Sequence, residues 1–286
     1  MEFPLRGGVA VITGAASGIG AALAANLAAR GCHLALADRN AEGLAAVAAA
    51  LSGVTVSQHV IDVADAEALA SLPEAVLLTH GKVTVLVNNA GVALGGTFDQ
   101  VTLADFAWLF DINFWAPVRL TKAFMYALQR EPAAHIVNIS SLFGLVAPPG
   151  QTAYCASKFA IRGFSESLRH ELLGTNVGLT VVHPGGVRTA IAANARVPQG
   201  VDPEEARAAA REFEKLLVTK PEDAAEQIAQ AIIARQKRLL IGGDARMVDR
   251  IQRILPASYW KIVGRRTRNV AAVRPGQTHE KVTAHG

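Results

Sequence analysis

The segment GVAVITG, residues 8–14, is a short apolar run that ends in glycine and leads, after three residues, into the alanine- and leucine-rich GIGAALAANLAARG, residues 18–31. The same alternation recurs along the chain. Further apolar runs are HLALAD (33–38), VTVSQHVID (54–62), KVTVLVNNAG (82–91), HIVNISS (135–141), GLTVVHPG (178–185) and RLLIGG (238–243). Helical stretches separate them: Glu42 to about Leu51, Asp65 to His80, two helices within 102–130, Thr152 to about Leu173, and TKPEDAAEQIAQAIIARQ at 219–236. In the last of these, Thr219 and Glu222 read as a capping pair around a first-turn proline. Short apolar runs bounded by turn residues read as buried strands. Strands of this kind, alternating with helices, imply a parallel sheet covered on both faces. The expected fold class is α/β, a doubly wound parallel sheet of about seven strands with helices on both faces.

Composition supports one such unit. The chain has 286 residues, 51% of them hydrophobic, and a mean hydropathy of +0.26, so a sizeable core is within reach and disorder of the whole chain is excluded. No linker, repeat or low-complexity block divides it, which suggests a single domain over 1–243 and an appended segment over 244–286. Cys32 and Cys155 have no metal-ligand spacing and are too few for a disulfide framework, so a reducing, cytoplasmic setting is expected, with no metal. The N-terminal MEFPLRGGVAVITG does not read as a signal peptide, and no apolar run is long enough to span a membrane.

The formal charge is +4, but residues 244–268 hold seven basic residues against two acidic ones, which is +5 and leaves −1 for the rest. The main domain is thus not expected to bind nucleic acid. Within the appended segment, Met247, Val248, Ile251, Ile254 and Leu255 recur at helical spacing, with Arg246, Arg250 and Arg253 between them. Pro256 then breaks the helix, and Tyr259 and Trp260 follow. Such a segment can pack on the domain or on a partner subunit, the favoured reading, or lie on an anionic membrane surface.

In VITGAASGIGAAL the glycines Gly14, Gly18 and Gly20 fall between the first strand and the first helix. Glycines there let the chain turn tightly and bring backbone N–H groups against a pyrophosphate at a helix N-terminus. The turn opens the first β-α-β unit, at the carboxyl ends of the strands, where ligands sit in such folds. In AYCASKFA, residues 153–160, Tyr154 and Lys158 are four positions apart and share one helix face. A cation beside a phenol favours phenolate and lowers the phenol's pKa. On its own the pair also fits an ordinary solvated face. Cys155 reads as packing, and His183 as a strand-end residue rather than a base.

Together, T-G-x-x-x-G-x-G at Thr13–Gly20, NNAG at Asn88–Gly91, a serine ending the fifth strand and Y-x-x-x-K at Tyr154–Lys158 resemble the short-chain dehydrogenase/reductase family, from about Val9 to Gly243. The resemblance implies a Rossmann-type domain, a nicotinamide cofactor, a small-molecule substrate and a homodimer or homotetramer. It implies a catalytic set of Asn113, Ser141, Tyr154 and Lys158. Ser141 lies 13 positions before Tyr154, the family's usual interval, and is preferred to Ser140. Ser141 would hydrogen-bond the substrate oxygen, Tyr154 would exchange a proton with it, and Lys158 would bind the nicotinamide ribose. Asn113 would hold a water linking Lys158 to solvent. The cofactor residues implied are Gly14, Ser17, Gly18, Ile19 and Gly20 at the turn, Asp38 and Arg39 at the ribose, and Asp62 and Val63 at the adenine. Asn89, Ala90 and Gly91 would line the adenosine side, and Pro184, Gly185, Val187 and Thr189 would hold the carboxamide, with Tyr154 and Lys158 also reaching the cofactor.

Asp38 would accept both adenosine-ribose hydroxyls and repel a 2′-phosphate, which favours NAD; Arg39 keeps NADP as the alternative. Where Gly186 stands the family more often has a bulkier residue, so the pocket is expected to be wider there. Residues 188–220 would form a substrate lid, with Ile191, Ala192, Val197, Phe213 and Leu217 above Leu142, Phe143 and Val146. That wall suits an apolar secondary alcohol or ketone. A reading from another class, a catalytically silent nucleotide-binding sensor or scaffold, would be signalled by loss of the tyrosine or the lysine, and both are present.

Overall fold

All seven apolar runs form strands. The computed structural model describes residues 2–266, and its strands are β1 (Val9–Thr13), β2 (His33–Asp38), β3 (Val56–Val60), β4 (Val85–Asn88), β5 (Ala134–Ile139), β6 (Val177–Pro184) and β7 (Arg238–Ile241). They pair in parallel in the order β3-β2-β1-β4-β5-β6-β7. The order reverses between β1 and β4, which leaves a crevice at the strands' carboxyl ends where the two halves of the chain diverge.

The helices are α1 (Gly18–Ala29), α2 (Ala41–Ala49), α3 (Ala66–His80), α4 (Leu103–Phe110), α5 (Ala116–Gln129), α6 (Thr152–Glu171), α7 (Pro203–Glu214), α8 (Pro221–Ile233), α9 (Gly243–Ile254) and α10 (Tyr259–Arg266). Alternate residues of one strand enter different cores. Ala10 and Ile12 of β1 join Leu23 and Leu27 of α1 and Ile228 and Ile232 of α8 on one face. Val11, between them, joins Leu72 of α3 and Leu120 and Phe124 of α5 on the other. Two such cores explain why the central strands are nearly continuously apolar, whereas β3 at the sheet edge is only partly buried.

Two local readings change in the structure. The two helices within 102–130 are joined without a loop by a π-helical segment, Asp111–Trp115. Pro117 follows it, and a proline has no N–H for the carbonyl four residues earlier, that of Asn113, so a regular α ladder cannot run through this point. Thr219 and Glu222 do not cap α8. The residue flanking the helix is Lys220, with no side-chain cap. Thr219 is instead drawn into a bridge with Val187, its N–H donating to the Gly186 carbonyl (2.9 Å) and its own carbonyl accepting from Arg188 (2.9 Å). A tertiary backbone pairing has overridden a local capping signal.

The residues after 243 begin as a helix against the last strand. α9 packs along β7, burying Ala245, Val248 and Asp249, and Asp249 pairs with Arg238 of β7 at 2.6 Å. Its outer side shows Ile254 and Leu255 to solvent, as α10 does Ile262. Arg268, with the rest of 267–286, lies outside the described residues. Among the described residues no helix is long and apolar enough to cross a membrane, and no cluster of side chains could hold a metal ion.

Candidate active site

The glycine turn after β1 shows why its residue types are needed. Gly14 and Gly18 have φ of +65° and +55°, a region that residues with a Cβ rarely adopt. At Gly20 a Cβ would run into the Gly14 carbonyl oxygen. Asn89 donates from Nδ2 to the Thr13 and Gly14 carbonyls (2.9 and 3.1 Å), while the Thr13 hydroxyl accepts the N–H groups of Asn89 and Ala90, both at 3.1 Å. The NNAG residues thus brace the turn from β4.

Ser17 flanks α1 without a side-chain cap, and the first turn has no acidic residue. The first N–H groups of α1 therefore face the crevice without a competing side-chain acceptor, an arrangement that fits a pyrophosphate. Ile19, just inside the helix, packs against the core. Asp38 closes β2, its carboxylate accepting from the N–H groups of Ala16 (3.0 Å) and Asn40 (2.9 Å). That fixes its direction beside the turn and leaves lone pairs for ribose hydroxyls. Arg39 and Asp62 are exposed, Val63 is buried, and the Asp62 side chain accepts from Ala64 at 2.9 Å. The turn, the bare helix start and the acid at the end of β2 fit a dinucleotide.

On α6 the helical spacing brings Tyr154 and Lys158 together, and both are buried. The lysine Nζ lies 5.7 Å from the phenol ring centroid and donates to the Ile139 carbonyl (3.2 Å) at the end of β5. Gly91 leaves room for this: a Cβ there would sit 3.4 Å from Lys158 Nζ and 3.2 Å from Asn113 Oδ1. Asn113 lies in the π-helical segment, fully paired: Oδ1 accepts from Val92 N–H (2.9 Å), and Nδ2 donates to Val92 O (3.0 Å) and Ser157 Oγ (3.2 Å). Its main-chain carbonyl is the one whose α-helical donor Pro117 cannot supply.

The two neighbouring serines are placed differently. The Ser140 hydroxyl is buried and donates to the Lys158 carbonyl at 2.9 Å. Ser141 is partly exposed, accepts from Phe143 N–H (3.1 Å), and its hydroxyl acts to lower the pKa of Tyr154. His183, which sequence reading set aside as a base, is buried with Nδ1 3.0 Å from the Ser141 carbonyl, so this nitrogen donates. Burial holds its pKa down to about 4, and the ring is neutral. It braces the serine; nothing in the sequence around it announces that contact, which crosses from β6 to the end of β5.

The electrostatics depart from the expectation that Lys158 lowers the phenol's pKa. Burial pushes Tyr154 up to about 12, with the Ser141 hydroxyl opposing, and Lys158 down to about 8. The physical reason is that desolvation penalises both charged forms.

Phe143 joins this centre to the 188–220 segment. Its ring meets Tyr154 edge-on at 6.1 Å and Phe213 of α7 at 6.3 Å. Leu94 is buried beside Tyr154, and Arg196 lies 3.8 Å over the Trp108 ring and pairs with Asp105 at 3.2 Å. Val146 and Leu217 are buried, and Val197 is exposed. The expected widening at Gly186 does not occur. A Cβ there would strike the Leu216 carbonyl, so backbone at 216–217 fills the space. Pro184, Gly185 and Val187 form a loop beside that backbone, and Thr189 reaches the glycine turn, its Cγ2 lying 3.0 Å from where a Cβ on Gly18 would be.

The chain is similar to known proteins. The Mycobacterium tuberculosis protein SadH is 44% identical over 263 residues, covering 90% of this chain and 94% of its own. Dehydrogenase/reductase SDR family member 7B of Xenopus tropicalis is 33% identical, covering 84% of this chain and 78% of its own. Among solved structures, a short-chain dehydrogenase/reductase from Burkholderia phymatum in complex with NAD superposes with a TM-score of 0.79 at 33% identity, over 88% of this chain and 95% of the other. An alcohol dehydrogenase from Thermococcus sibiricus complexed with 5-hydroxy-NADP does so at 0.70 and 27%, over 82% and 95%. The short chain dehydrogenase family matches residues 8–200. By sequence and by fold the chain belongs to the short-chain dehydrogenase/reductase family, and it is an NAD(P)-dependent oxidoreductase.

Proposed function

We propose that the protein transfers a hydride between NAD and an apolar secondary alcohol or ketone, with Asn113, Ser141, Tyr154 and Lys158 as its catalytic set. The observation that carries this reading is the burial of Tyr154 and Lys158 on one face of α6, with the lysine Nζ 5.7 Å from the phenol ring centroid. The nicotinamide, when bound, accepts or supplies the hydride. Ser141 donates to the substrate oxygen and steadies the charge that develops there. Tyr154 takes the hydroxyl proton in oxidation and gives it back in reduction. A phenol held near 12 is a competent acid at neutral pH; as a base it needs added positive charge, from Lys158 and from an oxidised nicotinamide. Asn113, through the carbonyl beside Pro117, holds the water that lets Lys158 exchange protons with solvent.

Support for an apolar substrate comes from Leu94 and Phe143 around Tyr154 and from Phe213 above them. Asp38 supports NAD, because a 2′-phosphate at the end of β2 would face its carboxylate. The test pairs NAD and NADP with a panel of secondary alcohols, read as kcat/KM, for the wild type, Tyr154→Phe and Asp38→Ala. Tyr154→Phe should bind cofactor normally and lose about 10²- to 10⁴-fold in turnover. Asp38→Ala should narrow the gap between NAD and NADP. Near-normal turnover by the phenylalanine variant would remove Tyr154 from the mechanism, and a wild-type preference for NADP would overturn the role of Asp38.

A further inference from the structure

We infer that Asp244, from the helix that follows the last strand, is a positioning residue for the nicotinamide end of the cofactor. The inference rests on the reading above that the loop after β6 holds the nicotinamide. That loop comes from Pro184, the last residue of β6, whose neighbour β7 ends at Ile241. Gly185 N–H donates to the Ile241 carbonyl (2.9 Å), so the two strand ends still run together as they leave the sheet. Gly242, at φ +98°, then turns the chain into α9 and puts Asp244 in its first turn.

The carboxylate of Asp244 fits between the two departing chains. A Cβ on Gly185 or on Gly242 would displace it, so the carboxylate keeps this place because both positions lack a side chain. One oxygen, Oδ2, accepts from the Gly186 N–H at 2.9 Å. The other, Oδ1, is buried without a hydrogen-bond partner among the described residues. A carboxylate oxygen removed from water and left unpaired is costly, and a residue serving only to start a helix has no need to be placed so. The following peptide is also held: the Gly186 carbonyl accepts from Val218 (3.0 Å) and Thr219 (2.9 Å). Both backbone polar groups of Gly186 are thus held, the N–H by Asp244 and the carbonyl by the 218–219 backbone. The next residue, Val187, begins the stretch assigned to the carboxamide. Removing the Asp244 grip should let that stretch rotate while the glycine turn and Asp38, at the adenosine end, stay as they are.

This spatial separation supplies the test. NADH and ADP-ribose share the adenosine, pyrophosphate and ribose, and only NADH carries the nicotinamide. Their dissociation constants are measured by calorimetry for the wild type, Asp244→Ala, Asp244→Ser and Asp244→Asn, with thermal melting beside them. Alanine and serine cannot reach Gly186; asparagine keeps an acceptor oxygen. The expected result is that NADH binding weakens about tenfold in Asp244→Ala and Asp244→Ser, the scale of one charge-assisted hydrogen bond. ADP-ribose binding stays constant, and Asp244→Asn recovers most of the loss. Equal weakening of both ligands in the serine or alanine variant would mean general loosening and would overturn the inference, as would unchanged NADH binding in both. If the wild type binds NADH no more tightly than ADP-ribose, the nicotinamide is not held at all, and the reading of the loop falls along with the inference.

Discussion

Lys158 stands where its charge is unwelcome. It is buried, its ammonium donates to the Ile139 carbonyl, and burial lowers its pKa from 10.5 to about 8. The unfolded chain therefore binds more protons than the folded one between about pH 8 and 10.5. Stability rises with pH across that window, and below about 8 the cost of the buried ammonium is present in full. A shift of this size corresponds to roughly 3 kcal/mol, offset by about 1 kcal/mol for the hydrogen bond to Ile139 that a replacement would lose. Lys158→Met, which keeps the length of the side chain, should accordingly be inactive yet more stable than the wild type at pH 7, with the advantage shrinking by pH 10. Urea unfolding midpoints at the two pH values decide it. A methionine variant no more stable than the wild type at pH 7 would mean that the lysine is not paying this penalty. The same residue shows what spacing can and cannot tell. That Tyr154 and Lys158 share a face was readable from four positions of separation; that burial dominates both their titrations was not, because desolvation depends on what covers the helix.

The loop between β6 and α7 is where local sequence and tertiary structure part company. Gly186 was a departure from a family pattern, and its meaning lay about thirty residues away, in the Leu216 carbonyl that occupies the place of a side chain. Thr219 had the look of a cap for α8 and became a bridge partner for Val187. Both errors have one cause: the 216–219 segment returns across the loop as extended backbone, and backbone pairing leaves little trace in residue types. By contrast the strands, the glycine turn and the long helices were legible, since their residue types answer to burial and to φ. The Asn113 segment lies between these cases: two helices within 102–130 were legible, but not the π-helical turn that joins them. Gly186→Val tests the crossing. Its side chain must push the 216–219 backbone aside, and overpacking of this kind costs about 1–3 kcal/mol. The melting temperature should fall and the KM for substrate should rise, because the displaced strand carries the expected lid. Wild-type values for both would mean the return can move without cost.

At the scale of the molecule, the segment after residue 243 decides whether the sheet has a covered or an open end. β7 is the last strand in the order, and an edge strand with apolar residues is a hazard unless something lies along it. α9 does so, with Ala245 and Val248 buried beneath it and Asp249 shared between Arg238 (2.6 Å) and Arg253 (3.1 Å). α10 continues round to the loop before α6, where the Tyr259 hydroxyl accepts from Ala147 N–H at 2.9 Å. These contacts favour packing on the domain as the work of the segment. The exposed Ile254, Leu255 and Ile262, near Arg250, Arg253 and Lys261, are the features the membrane reading would use. Deleting 244–286 separates the two. If packing is the main role, the truncated protein should melt several degrees lower, at about 2–4 °C for each kcal/mol lost in a chain of this size. Newly bared β7 should also make it associate, seen as a larger particle by light scattering. If the melting temperature and the particle size both stay at wild-type values while binding to vesicles containing phosphatidylglycerol disappears, the packing reading fails and the membrane surface is the partner of α9 and α10.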